Sequence, residues 1–133
     1  MSQPRVVIEL DGNGRVYRPS ETLSGEYRLE SIDPDQVKAV EVSVLWHSEG
    51  KGDEDLAVHH FLRLARDNGE PVDFGRPGHF QTTLPNSPLT YHGTIVKICW
   101  CVRVRVFLPR GRQVVGEQTF RLGNVPAARP VTP

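Results

Sequence analysis

The chain has 133 residues, 38% of them hydrophobic, and its 16 Lys plus Arg balance 16 Asp plus Glu. That length supports one domain with a core of its own, without metal or disulfide support, and zero formal net charge supplies no bulk attraction to nucleic acid or an anionic membrane. The amino-terminal MSQPRVVIEL lacks the apolar core of a signal peptide, and no apolar run approaches the roughly 18 residues of a membrane span, so a cytoplasmic protein without a membrane span is expected.

Val6, Ile8 and Leu10 alternate with Val7 and Glu9, the period-two pattern of a strand with one face turned to a core. Asp11-Gly12-Asn13-Gly14 follows, residues that tolerate the positive φ of tight hairpin turns, and a short strand is expected over 15–18. This run lacks the later ligands and closing glutamate of a calcium loop and reads as a turn. ETLSGEYRLES is a second alternation, placing Leu23, Gly25, Tyr27 and Leu29 on one face. Ile32-Asp33-Pro34-Asp35 is turn chemistry, and VKAVEVSVLWH is a strand with Val40, Val42, Val44 and Trp46 inward. The glycine-rich, acidic stretch from Ser48 to Asp55 suits a hairpin loop. In LAVHHFLRLA the strand reading puts Leu56, Val58, His60, Leu62 and Leu64 inward and His59, Phe61 and Arg63 outward. Residues 66–78 read as irregular, a strand resumes over 79–84 with Phe80 and Leu84 on one face, and Pro85-Asn86-Ser87-Pro88 breaks it.

The longest alternation is TIVKICWCVRVRVFL, residues 94–108. Val96, Ile98, Trp100, Val102, Val104, Val106 and Leu108 share its apolar face, and Lys97, Cys99, Cys101, Arg103 and Arg105 the other. A straight strand of this length would span about 45 Å, so a bend or bulge is expected partway. Trp46 and Trp100 are expected to reach the same interior. Pro109-Arg110-Gly111 turns the chain into a last strand carrying Val114, Phe120 and Leu122, which ends a domain of residues 1–122. The proline-rich tail, 123–133, is expected to be flexible. Cys99 and Cys101, two apart on one strand face, read as free thiols. Short strands joined by turn signals, with no convincing helix, indicate an all-β sandwich or barrel.

The ordered segments resemble one lobe of an arrestin-like protein. VYRPSETLSGEYRLE, VKAVEVSVLWH, HFQTTLP followed by Ser-Pro, and YHGTIVKICWCVRVRV carry the resemblance, with Tyr17, Pro19, Gly25, Leu84, Pro85, Gly93, Ile95, Lys97 and Val102 in matching places. It covers most of residues 6–122. Ser20 departs from the pattern, standing where the family usually has glycine, and the chain holds one lobe where arrestins, the retromer arrestin-fold subunit and bacterial sporulation-control proteins carry two. The resemblance implies an immunoglobulin-like antiparallel β-sandwich of about seven or eight strands that acts as a protein-binding scaffold or adaptor and not as an enzyme.

Lys97, Arg103 and Arg105 project from the polar face of the long strand, and Arg112 and Arg121 on the next strand are placed to extend them into a cationic stripe. Guanidinium groups present paired donors that match carboxylate or phosphate, so such a stripe suits an acidic or phosphorylated segment of a protein partner. An ordinary solvated face, partly neutralised by Glu117, accounts for the same residues. The rival class is a small metal-binding protein or enzyme using His47, His59, His60, His79, His92, Cys99 and Cys101. His59 and His60 point to opposite faces of a strand, and a lone Cys-x-Cys lacks the second pair of a zinc site, so no metal, cofactor or catalytic residue is assigned. His60 reads as a hydrogen-bonded histidine at the core margin. Activating a thiol takes an adjacent base or a helix dipole, and no helix is predicted nearby. Ile95, Cys99, Cys101 and Phe107 make the outer face less polar than a fully solvated one, marking it for a partner or a second protomer. A homodimer would rebuild the two-lobe shape.

Overall fold

The computed structural model describes residues 3–12, 16–50, 52, 54–66 and 72–123. Nine strands run through them: β1 (Arg5–Leu10), β2 (Val16–Tyr17), β3 (Thr22–Glu30), β4 (Ala39–Gly50), β5 (Leu56–Ala65), β6 (Gly78–Thr83), β7 (Tyr91–His92), β8 (Val96–Phe107) and β9 (Gln113–Leu122). Seven of these have six residues or more, and β2 and β7 have two each. A three-stranded sheet in the order β1-β3-β6 lies against a six-stranded sheet in the order β2-β9-β8-β4-β5, to which β7 is added alongside β8. The architecture is an all-β sandwich, as the alternations require. The tail beyond Gly123 lies outside the described residues, and no helix among the described residues is long and apolar enough to cross a membrane.

The two inner faces supply one core. Leu23, Tyr27 and Phe80 of the small sheet meet Val40, Val42, Val44, Trp100, Val102, Val104, Val106 and Phe120 of the large one, all at most 5% exposed. Trp46 and Trp100 stand in register, Trp46 half-buried at the margin and Trp100 fully enclosed. The Trp100 indole N–H donates to Pro88 O at 2.7 Å, and its ring leans on Phe120, which Tyr17 meets edge-on. A buried indole is thereby satisfied as well as packed.

Three expectations differ in detail. The turn after β1 does not form a hairpin with the short strand that follows. β1 pairs with β3, while β2 crosses to the other sheet and pairs in parallel with β9, which brings Tyr17 edge-on to Phe120 between the layers. No bulge interrupts β8: its pairing with β4 is unbroken from Val96↔Gly50 to Phe107↔Ala39. The irregularity lies one strand over, between β4 and β5, where Val44 pairs with His60 but Leu45 pairs with Val58. One extra residue, His59, is thus inserted on β5, and an inserted residue reverses every side chain before it.

The consequence is a correction to β5. Leu62 and Leu64 pack on the core, but Leu56 and Val58 point outward, 55% and 50% exposed. Ala57 takes the inward place opposite Trp46, where its methyl leaves room for the indole. His59, expected outward, turns its ring edge-on to Trp100 and bonds Thr83 O through Nε2 at 2.7 Å. His60 sits at the core margin without a side-chain hydrogen bond among the described residues, so the bonding expected of it belongs to its neighbour. His59 ties β5 to β6 along one side of the sandwich. On the other, β1 approaches β9 so closely that a Cβ on Gly116 would lie 2.8 Å from both Cβ and O of Val6.

Candidate interaction surface

The outer face of the large sheet is organised in rows set by strand register. Arg63, Glu41, Arg105 and Val115 form one row and Phe61, Ser43, Arg103 and Glu117 the next, followed by Val58, Leu45, Cys101 and Thr119, then Leu56, His47 and Cys99. Its middle is sealed, since Leu45 and Cys101 are each 1% exposed beneath longer neighbours. Its β5 side is open: Leu56, Val58 and Phe61, the last 53% exposed, line one margin. Among the described residues β5 is also an edge strand with a sheet neighbour on one side only. An edge with an apolar face is an adhesive surface, which soluble proteins ordinarily mask with charge or bulges. Here the bulge is present, yet it is the bulge that turns Leu56 and Val58 outward.

The five sequence-predicted cations are distributed along this face. Arg103 Nε bonds Glu117 Oε2 at 2.5 Å, with its side chain only 22% exposed. Arg105 stands opposite Glu41, whose carboxylate is taken by Arg63 at 2.8 Å, and has no ion pair of its own among the described residues. Lys97 lies opposite Glu49 at one end. Arg121 follows Phe120 on β9 at that same end and lines, with His92, Cys99 and Trp100, a depression of about 570 Å³. Arg112 is exposed in the turn beyond the other end of β8. Lys97 and the end of β8 at Phe107 are about 33 Å apart along the strand, so Arg103 and Arg105 alone form a compact pair.

A second basic cluster is assembled from residues far apart in the sequence. Lys38, Arg63 and Arg66 line a depression of about 460 Å³ with Asp35, Gln36, Val37 and Pro109. Arg66 is held by Val37 O at 3.0 Å and by Pro34 O, with its guanidinium over the Phe74 ring. Arg63 lies over Phe107. These residues come from separate strands and a loop, so only their spacing in the chain, not their proximity, was visible.

The rival metal reading finds no support in the geometry. Among the described residues no three of His, Cys, Asp and Glu gather in a way that could hold an ion; His79 is drawn to Glu26 at 3.7 Å and His59 to the Thr83 carbonyl. Burial pushes the Cys101 thiol up to about 11, with Glu117 adding to the effect. Burial and then Glu49 raise that of Cys99. A thiol whose pKa is raised is a poor nucleophile, since the thiolate is the reactive form.

No protein-family model matches the chain, and no curated protein gives a significant match. Among solved structures, the sporulation control protein Spo0M from Bacillus subtilis aligns with a TM-score of 0.60 at 13% identity, over 92% of this chain and 50% of that one. The fold is arrestin-like. The chain spans half the length of Spo0M. A superoxide reductase (neelaredoxin) from Ignicoccus hospitalis aligns with a TM-score of 0.53 at 9% identity, over 90% of this chain and 80% of that one. At such identities the likeness is one of architecture, and sites on the arrestin-like frame must be argued from its own residues. One such residue is Ser20. It adopts φ +68°, the left-handed region that favours glycine.

Proposed function

We propose that this chain is a non-enzymatic, arrestin-like adaptor module that binds a protein partner along edge strand β5 and the adjoining outer face. The observation that carries the proposal is the line of Leu56, Val58 and Phe61, each at least half exposed on a strand that has a sheet neighbour on only one side among the described residues. An extended segment laid beside such an edge gains main-chain hydrogen bonds, and the apolar row supplies the contact area. Free thiols at Cys99 and Cys101 fit a reducing, cytoplasmic setting. Arg103 and Arg105, with Lys97, Arg112 and Arg121 further off, suit an acidic or phosphorylated stretch of the partner as a subsidiary contact. Arg105 is the better placed of the pair, because Arg103 is already engaged by Glu117.

The test is crosslinking from a photoreactive residue placed at Val58, compared across variants. Loss of the crosslinked partner in Phe61→Glu and its retention in the double variant Arg103→Glu, Arg105→Glu is the expected result. The opposite pattern moves the contact to the cationic face, and unchanged capture in both removes the whole surface. Stoichiometric metal in protein purified without chelator, lost on substitution of His59 or Cys99, would overturn the adaptor assignment in favour of the metal-protein alternative.

A further inference from the structure

Strand β5 is not apolar throughout. Glu54 and Asp55 lie immediately before Leu56, Arg63 is near its end and Arg66 just after it, and Leu56, Val58 and Phe61 occupy the outer face between. A strand that is acidic at one end, basic at the other and apolar in the middle is complementary to itself when reversed. We infer that the occupant of this edge is a second copy of the chain, with the two β5 strands antiparallel about a two-fold axis passing between His59 and His60. This rests on β5 being the contact surface proposed above.

The register follows from the bulge. Val58 and Phe61 both face outward although three positions separate them, because His59 is the inserted residue. Placing Val58 of one copy opposite Phe61 of the other also sets Leu56 opposite Arg63, and sets each His59 opposite the other copy's His60. The two bulges then lie side by side and neither breaks the pairing. Outer-face residues meet outer-face residues on both sides of the axis, as an isologous contact demands. Arg63, already paired with Glu41 at 2.8 Å, gains as a neighbouring carboxylate Glu54 of the second copy, which lies two residues before Leu56 and therefore on the same outer face. The four half-exposed apolar side chains nearest the axis, two Val58 and two Phe61, cover one another and form the buried centre that stable contacts need.

The experiment is sedimentation equilibrium on the full chain over a concentration series. The expected mass is twice the 14.9 kDa of one chain. Phe61→Glu should raise the dimer dissociation constant by roughly thirtyfold or more, the scale of a hot-spot residue, while Val115→Glu, on the far side of the same face, leaves it unchanged. Charge reversal supplies a second, independent arm that does not disturb the apolar centre. Arg63→Glu and Glu54→Lys should each weaken self-association, since each homodimer then sets like charges against each other at both ends. An equimolar mixture of the two should form a heterodimer, because opposite charges meet at both ends again. A strict monomer at all concentrations, a dimer indifferent to Phe61→Glu, or a mixture that fails to associate overturns the inference. A monomer whose crosslinked partner is nonetheless lost in Phe61→Glu sinks the self-pairing alone and leaves the adaptor assignment standing.

Discussion

Leu45 and Val58 stand opposite one another, one step out of the register that holds Val44 against His60. That single offset decides the character of the β5 face. Without it, Leu56 and Val58 would follow Leu62 and Leu64 into the core, and the outer margin would carry Ala57, His59, Phe61 and Arg63. His59, the residue that creates the offset, is anchored by its own contacts, to Thr83 O and to the edge of Trp100.

Replacing His59 by alanine removes that anchor while leaving the backbone free to keep the bulge. The expected cost is about 1 kcal/mol, the net worth of one hydrogen bond with a modest ring contact. Urea unfolding followed by tryptophan fluorescence measures it, since Trp100 is the ring against which His59 rests. A variant as stable as the parent would show that the bulge is held by backbone geometry alone.

Ser20 holds φ +68° although it carries a Cβ. Its backbone N–H donates to Leu84 O at 3.1 Å and its hydroxyl to Asn86 Oδ1 at 3.1 Å, so the conformation is imposed by the crossing between layers. Ser20→Gly relieves the left-handed strain, and stability should rise by about 0.5–1 kcal/mol after the loss of an exposed hydroxyl contact. A higher midpoint of thermal unfolding is the readout.

Gly25 sits where β1 and β6 both press on β3. A Cβ there would lie 2.5 Å from Glu9 O and 2.9 Å from the tip of Phe80. The Phe80 ring is itself buried in the core, and the β1 carbonyl belongs to the ladder and cannot withdraw without breaking its pairing. Gly25→Ala should therefore cost about 1–3 kcal/mol, the range for overpacking, read from the denaturation midpoint.

Alkaline pH offers a separate check on the sealed face. Cys101 is pushed from 9.0 to about 11 by burial first and Glu117 second. The thiol of the unfolded chain gives up its proton before that of the folded chain, so the folded state binds more protons over this interval and stability falls as pH rises from about 9 to about 11. Tyr27, raised by burial, acts in the same direction. Cys101→Ala should flatten the decline. In the native protein an alkylating reagent should modify half-buried Cys99 ahead of buried Cys101, and equal rates would show that the outer face is open where the packing has it closed.

Much of the fold was legible in the residues themselves. The even positions of β8 from Trp100 to Val106, the Val40-Val42-Val44 row and the Leu23-Tyr27 face are buried where their alternation puts them, because period two is a property of the backbone and needs no partner to express it. What the chain alone did not disclose is which strands lie beside each other. β2 abandons β1 for a parallel place next to β9, Arg63 meets Glu41, and Lys38 and Arg66 come together around one depression. All of these contacts join residues distant in the chain. The bulge belongs to the same category: nothing in LAVHHFLRLA forbids a regular strand, and the extruded His59 finds its partners, Thr83 and Trp100, on other strands. Alternation thus determined which side chains are able to face a core, while packing between layers decided which ones do, since one inserted residue exchanges the two faces of a strand at small local cost.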